Sequence, residues 1–246
     1  MVQNVLFPMG IRENCRFAAG FLQRAGFLLT DHPSPDVTHV LLDIPSFSAD
    51  GLLQDGKDLK EMLRMLPPTI HIIGGNLEKD YLADYRKTDL LKDSFFLAKN
   101  AAITAECALQ VAASHMPLTF AECPTLILGW GRIGKCLASL LKQMGCPVTV
   151  AARKESDRAM LQGLGYGAVD FSEAEKLISQ HRLLFNTVPA GIGLTKPYDG
   201  CVKIDLASLP GLQGCGIIAA RGLPGKYAPE SSGKLIADCV CREVLK

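Results

Sequence analysis

The residues best suited to chemistry stand in one run: Thr125-Leu126-Ile127-Leu128, then Gly129-Trp130-Gly131-Arg132-Ile133-Gly134. The four apolar residues predict a strand. Beyond the turn, residues 135–144 predict a helix, with Leu137, Leu140, Leu141 and Met144 on one face. Gly145 falls where a left-handed helix cap belongs, and residues 147–151 read as the next strand. A strand, a Gly-x-Gly-x-x-Gly turn and a helix in that order suit a pyrophosphate. Gly129 permits the tight turn, Gly131 lets the backbone approach the phosphates, and Gly134 lets the helix pack on the strand. The helix N-terminus then faces the negative charge. The bland alternative is a tight strand-to-helix turn without a ligand.

The end of the second strand selects the cofactor. A site for NAD(H) places Asp or Glu there for the ribose hydroxyls. Here the sequence reads Ala151-Ala152-Arg153-Lys154-Glu155-Ser156-Asp157-Arg158, and no acid precedes Glu155. Arg153 stands 19 residues after Gly134, where the acid is expected. A guanidinium there suits a 2′-phosphate, with Lys154, Ser156 and Arg158 completing the pocket. NADP(H) is therefore favoured, and NAD(H) is the alternative if Arg153 only stacks on the adenine. Further on, residues 183–185 predict a strand leading into Asn186-Thr187-Val188-Pro189, a position that lines the nicotinamide–ribose side in such folds.

Elements on either side must position this turn. The chain has 246 residues, 48% hydrophobic and 21% charged, enough to bury a core in one large or two ordinary domains. A net charge of +1 argues against nucleic acid or an anionic membrane as partner. No apolar stretch reaches the roughly 18 residues of a membrane span. Nine scattered cysteines without a C-x-x-C pair predict reduced thiols and no metal site, hence a soluble, cytoplasmic protein.

Residues 2–8, 27–30, 38–43 and 69–73 predict short strands, with helices at 12–25 and 55–65. An Ala-rich helix over 94–115 follows, and a last one over 231–245. The expected fold class is α/β: two parallel-sheet domains joined by a long helix, the second a Rossmann dinucleotide-binding domain. The expected boundaries are 1–95 for a substrate or partner domain, 96–118 for the connecting helix and 119–228 for the NADP-binding domain. The helix at 229–246 is expected to pack back on the first domain.

With these motifs in place, the chain resembles the family formed by the A subunits of dipicolinate synthase, itself related in plan to D-2-hydroxyacid dehydrogenases. The resemblance is carried by Asn100-Ala-Ala-Ile-Thr104-Ala-Glu106, the 129–134 turn with Ala152-Arg153, and Asn186-Thr-Val-Pro189. It continues in Asp205-Leu-Ala-Ser208-Leu-Pro-Gly211 and Gly222-Leu-Pro-Gly225-Lys-Tyr-Ala-Pro229-Glu-Ser-Ser-Gly233. It implies an oxidoreductase component that works with a flavoprotein to turn a dihydrodipicolinate-type compound into dipicolinate, the calcium chelator of the spore core. The first domain departs more: the family's opening glycine-rich, acidic turn is Pro8-Met-Gly10-Ile-Arg12 here. Ile103 replaces a family proline and Cys107 a family glycine.

A small cyclic dicarboxylate needs cationic or amide donors, and Arg12, Asn76 and Arg221 each follow a predicted strand, the last of these strands at 216–219. On the connecting helix, Asn100, Thr104 and Glu106 are the candidates to face the nicotinamide. A partly buried Glu106 would act as a general base; its alternative is a surface or interface glutamate. The five histidines read as structural or solvated. Two functional readings follow: an NADP(H)-dependent oxidoreductase subunit, or a non-catalytic nucleotide-binding sensor or assembly protein. Either is compatible with a homo-oligomer.

Overall fold

Short apolar runs divided by turn residues become parallel strands in both halves of the chain. The computed structural model describes residues 3–208 and 211–244. Val2, Leu245 and Lys246, at the ends of expected elements, and Leu209-Pro210 of the 205–211 motif lie outside the described residues. The chain forms two units: residues up to 100 together with those from 224 onward, and residues 101–223.

The first unit contains β1 (Val5–Pro8), α1 (Glu13–Arg24), β2 (Leu28–Leu29), β3 (His39–Leu41), α2 (Leu59–Leu63), β4 (His71–Gly74) and β5 (Arg86–Asp89). All neighbouring strands are parallel, in the order β2-β1-β3-β4-β5. This is the doubly wound order with a switch point between β1 and β3. Val40 and Ile72 from the sheet, with Leu42 and Ile70 beside its strands, pack with Leu59 and Leu63 of α2.

The sequence suggests a helix over 55–65, but α2 starts later. Asp55 accepts the Lys57 amide in a turn, and Asp58 caps the helix by accepting the Lys60 amide at 2.9 Å. Strand β5 is not legible from its residues, Arg86-Lys-Thr-Asp89, because it is an edge strand with few apolar side chains. Pairing with β4, together with Asp89 accepting the amides of Asn76, Leu77 and Leu91, fixes it.

Helix α3 (Ser94–Ala113) carries the chain from the first unit into the second. Asp93 caps it by accepting the amides of Phe95 and Phe96. At its far end the His115 ring meets the Val111 carbonyl at 2.9 Å.

The second unit follows with β6 (Thr125–Leu128), α4 (Arg132–Gln143), β7 (Val148–Ala152), α5 (Glu155–Gly163), β8 (Gly167–Asp170), α6 (Ala174–Leu177) and β9 (Leu183–Asn186). It ends with β10 (Ile192–Gly193), β11 (Val202–Asp205), β12 (Leu212–Gln213) and β13 (Ile217–Ala219). Six strands form one parallel sheet in the order β13-β11-β9-β6-β7-β8, and β10 pairs separately with β12. Counted from β6, this is the 3-2-1-4-5-6 order of a Rossmann sheet. The fold is α/β with two parallel sheets.

The chain closes with α7 (Leu223–Tyr227) and α8 (Pro229–Val244). In the first unit α8 lies along α1, where Asn14 Nδ2 donates to Ser232 Oγ at 3.1 Å. A Cβ on Gly233 would meet the backbone of Asn14 and Ala18, so only glycine allows so close an approach. Arg242 of α8 pairs with Asp93 and lies 4.2 Å over the Phe95 ring.

His39 and His71 face each other across β3 and β4 with ring centroids 5.5 Å apart. Only 6% and 3% exposed, they keep partners in Thr38 and Thr88, while His71 Nδ1 has none. Burial and then the nearby Arg86 charge push both down to about 4 from the ordinary 6.5. The unfolded chain therefore binds protons that the folded chain refuses between those values. Stability is expected to fall as pH drops from 6.5 toward about 4. Urea unfolding across that range should show the loss, and His71→Gln should make it shallower, leaving the His39 share; an unchanged slope would contradict this account.

Candidate functional site

The switch point of the second sheet lies between β6 and β9, where neighbouring strands lead their connections to opposite sides. The chain leaves β6 through Gly129, whose φ of +101° few other residues adopt. A Cβ there would stand 2.7 Å from both Thr187 Oγ1 and Val188 Cγ2. At Gly134 a Cβ would overlap the Gly129 carbonyl, so the first turn of α4 closes on the strand end only because no side chain intervenes. Around Gly131 the same construction meets nothing within 4 Å. The turn is thus closed on its protein side and open on the other.

Helix α4 begins with Gly131 as its N-cap, no side chain caps it, and its first turn holds no acid. Its leading amides have no intrahelical partner, and the helix dipole is positive there. The equivalent place in the first unit is treated differently. There the buried Asp43 carboxylate accepts the amides of Ile11 and Arg12, each at 3.0 Å, just ahead of α1. One switch point is filled by the protein's own carboxylate, and the other has none.

A crevice runs from the turn to the end of β7. Gly129, Trp130 and Gly131 line it at the turn; Ala151, Ala152 and the charged Arg153, Lys154 and Asp157 line it along the end of β7; Phe171, Thr187, Val188 and Pro189 give the remainder. Lys135 stands 5.7 Å over the Trp130 ring. Arg153 and Lys154 are exposed, whereas Asp157 is half-buried. Asp157 and Phe171 were not among the expected residues: an acid in the first turn of α5, and a lone aromatic after the edge strand β8, carry little signal.

Several expected residues sit elsewhere. Arg132, Ile133 and Gly134 form the first turn of α4 without lining the crevice. Ser156 is exposed on α5 and also outside the lining. Arg158 turns back under the sheet: its guanidinium donates to the carbonyls of Ala152 and Arg153 at 2.9 and 2.8 Å and pairs with Asp170 at 2.6 Å. It anchors the end of β7 rather than offering a hand to a phosphate. Asn186 is fully buried and reaches the crevice only through its neighbours.

The connecting-helix candidates divide in the same way. Thr104 is buried and Glu106 exposed, as two residues about 200° apart on a helix must be when one faces inward. Asn100 is half-buried and shares a face with Thr104. Glu106 lies in a shallow depression with Ala102, Lys135, Cys136 and Ser139, outside the crevice at Gly129. Glu106 is thus exposed, where the sequence reading expects it partly buried.

The three expected donors are also accounted for. Arg12 donates to the Ile44 carbonyl and to Gln54 Oε1. Asn76 is an exposed turn residue with φ +62°, its amide held by Asp89. Arg221 donates Nε to the Ala207 carbonyl and a terminal nitrogen to Asp205 Oδ2, at 2.8 and 2.9 Å.

Six of the nine cysteines are buried, and none is in a disulfide. Burial, and then the Asp43 charge, raise Cys15 to about 12, and burial first of all raises Cys201 and Cys239 to about 11. Such thiols are poor nucleophiles. Among the described residues no three His, Cys, Asp or Glu come together as for a metal, and no helix is long and apolar enough to cross a membrane.

No family model matches the chain. Over 155 residues, 58% of its length, it is 27% identical to the A subunit of dipicolinate synthase from Bacillus subtilis. The chain is similar to the dipicolinate synthase A subunits. The match spans about half of the Bacillus subtilis protein, 52% of its length. The fold extends the likeness: the crystal structure of the corresponding A subunit from Bacillus halodurans superposes with a TM-score of 0.80 at 21% identity, covering 100% of this chain and 99% of that one. A transhydrogenase from Sinorhizobium meliloti has the same fold at a TM-score of 0.72 and 13% identity, over 98% of this chain and 84% of that one.

The closeness of Gly134 to the Gly129 carbonyl has a measurable consequence. Gly134→Val must push the turn off the helix and should cost about 1–3 kcal/mol of stability. Urea denaturation of the two proteins checks it, and equal midpoints would show that the contact is slack.

Proposed function

We propose that this chain is the nucleotide-binding subunit of an NADP(H)-dependent oxidoreductase like dipicolinate synthase, working with a flavoprotein partner on a dihydrodipicolinate-type substrate in spore formation. The observation that carries this reading is the open N-terminus of α4 at a Rossmann switch point, beside a wall bearing Arg153 and Lys154. The residues fit a dinucleotide: leading amides and Gly131 for the pyrophosphate, two cations for a 2′-phosphate. Kinship with the A subunit of dipicolinate synthase supports the rest. When bound, the nicotinamide supplies hydride exchange. The protein's part is to hold the phosphates on the α4 amides, set Arg153 against the ribose and press Thr187 and Val188 against the turn.

Two observations favour narrower alternatives. Asp157 in the same crevice is an acceptor for ribose hydroxyls, which suits NAD(H). Glu106 lying outside the crevice suits a protein that binds a nucleotide without turning over substrate.

Calorimetric titration with NADPH and NADH separates the cofactors. NADPH is expected to bind more tightly, and Arg153→Ala should lower its affinity about 10- to 100-fold while changing that for NADH little. Tighter binding of NADH by the unaltered protein would overturn the choice. Nicotinamide absorbance, followed with the dihydrodipicolinate-type substrate and the flavoprotein present, tests the reaction. An absorbance unchanged by substrate would favour the non-catalytic role.

A further inference from the structure

The connection after β9 presses Val188 and Thr187 against Gly129, and something must hold it there. The Thr187 amide and hydroxyl both donate to the Leu128 carbonyl, at 3.0 and 2.8 Å. The Val188 amide donates to Asn186 Oδ1 at 3.0 Å, and Asn186 Nδ2 donates to the Val188 carbonyl at 3.2 Å. That amide side chain is itself fixed from behind: Asn186 Nδ2 also donates to Asp205 Oδ1 at 2.7 Å.

Asp205 ends β11 and is 1% exposed. Its other oxygen takes the Arg221 guanidinium at 2.9 Å, and the Ala207 amide donates to Oδ1 at 3.3 Å. A Cβ on Gly211 would overlap the carboxylate, so the chain is built closely around it. A carboxylate this buried is tolerated only when its lone pairs are met and a cation neutralises it. Arg221, with a side chain 37% exposed, supplies the charge from the solvent side.

The partners form one line: Arg221, Asp205, Asn186, Val188, then the nucleotide turn at Gly129. None of Arg221, Asp205 and Asn186 lines the crevice, but Val188 does. We infer that Asp205 and Arg221 are positioning residues that hold the Thr187–Pro189 wall of the crevice in its binding geometry through Asn186. The inference rests on the dinucleotide reading and adds to it two residues that touch neither ligand nor turn. It also gives Arg221 a different task from the substrate contact that its place after a strand suggests.

The wall they support is separate from the charged wall of Arg153, Lys154 and Asp157. Loosening it should weaken NADPH and NADH alike, without changing the preference between them. Asp205→Asn sets an amide against the guanidinium, and Arg221→Lys keeps the charge but loses the paired donors. Calorimetric titration of each folded variant is expected to show both cofactors weakened by about tenfold, with their ratio unchanged. Hydrogen exchange should quicken at the Val188 amide and stay slow at Leu126–Leu128. If Asp205→Asn does not fold, the more exposed Arg221→Lys carries the test.

Unchanged affinities in Arg221→Lys, or faster exchange throughout the sheet, would overturn the positioning role. If the unaltered protein binds neither cofactor, the dinucleotide reading fails, and the positioning role fails with it. If it binds them and the variants bind as well as it does, only the positioning role fails.

Discussion

Everything at the crevice depends on the contact between Gly134 and the Gly129 carbonyl. Strand β6 and helix α4 meet there without an intervening side chain, so the helix starts directly over the strand end. That placement aims the leading α4 amides outward beside β7 and β9, the two strands that flank β6. A side chain on either glycine would tilt the helix or push away Thr187 and Val188. The dipole of α4 acts over only its first turn, so a small tilt would move the useful charge off the crevice.

Around that contact, ionic groups are used in two ways. Buried or half-buried pairs such as Arg221–Asp205 and Arg158–Asp170 tie down strand ends and carry shape. Arg153 and Lys154 stay exposed at the rim, where their charge remains available. The distinction matters because a guanidinium already paired with a carboxylate has little to give an incoming anion.

Much of this arrangement was legible in the sequence because it rests on local rules. The 125–128 apolar run, the three glycines and the helical spacing of Leu137, Leu140 and Leu141 fix a strand, turn and helix from neighbouring residues alone. Strands β5 and β8 were not legible, since edge strands take their conformation from a partner rather than from an apolar pattern. The bonds of Arg158 and Arg221 were equally hidden. Their type announces a donor, but their acceptors, Asp170 and Asp205, lie 12 and 16 residues away, and only the sheet brings them together. Helix geometry alone argued against Thr104 and Glu106 sharing a face, because residues two apart point to opposite sides.

The Asp43 carboxylate ahead of α1 bears on how many nucleotides one chain can hold. Both units are doubly wound, and each has a switch point where a strand feeds a helix. In the first, the amides of Ile11 and Arg12 already hold a fixed negative charge, so a phosphate arriving there would meet repulsion and find those donors taken. The two switch points are therefore unlike: the one ahead of α4 has no carboxylate of its own, and the one ahead of α1 does.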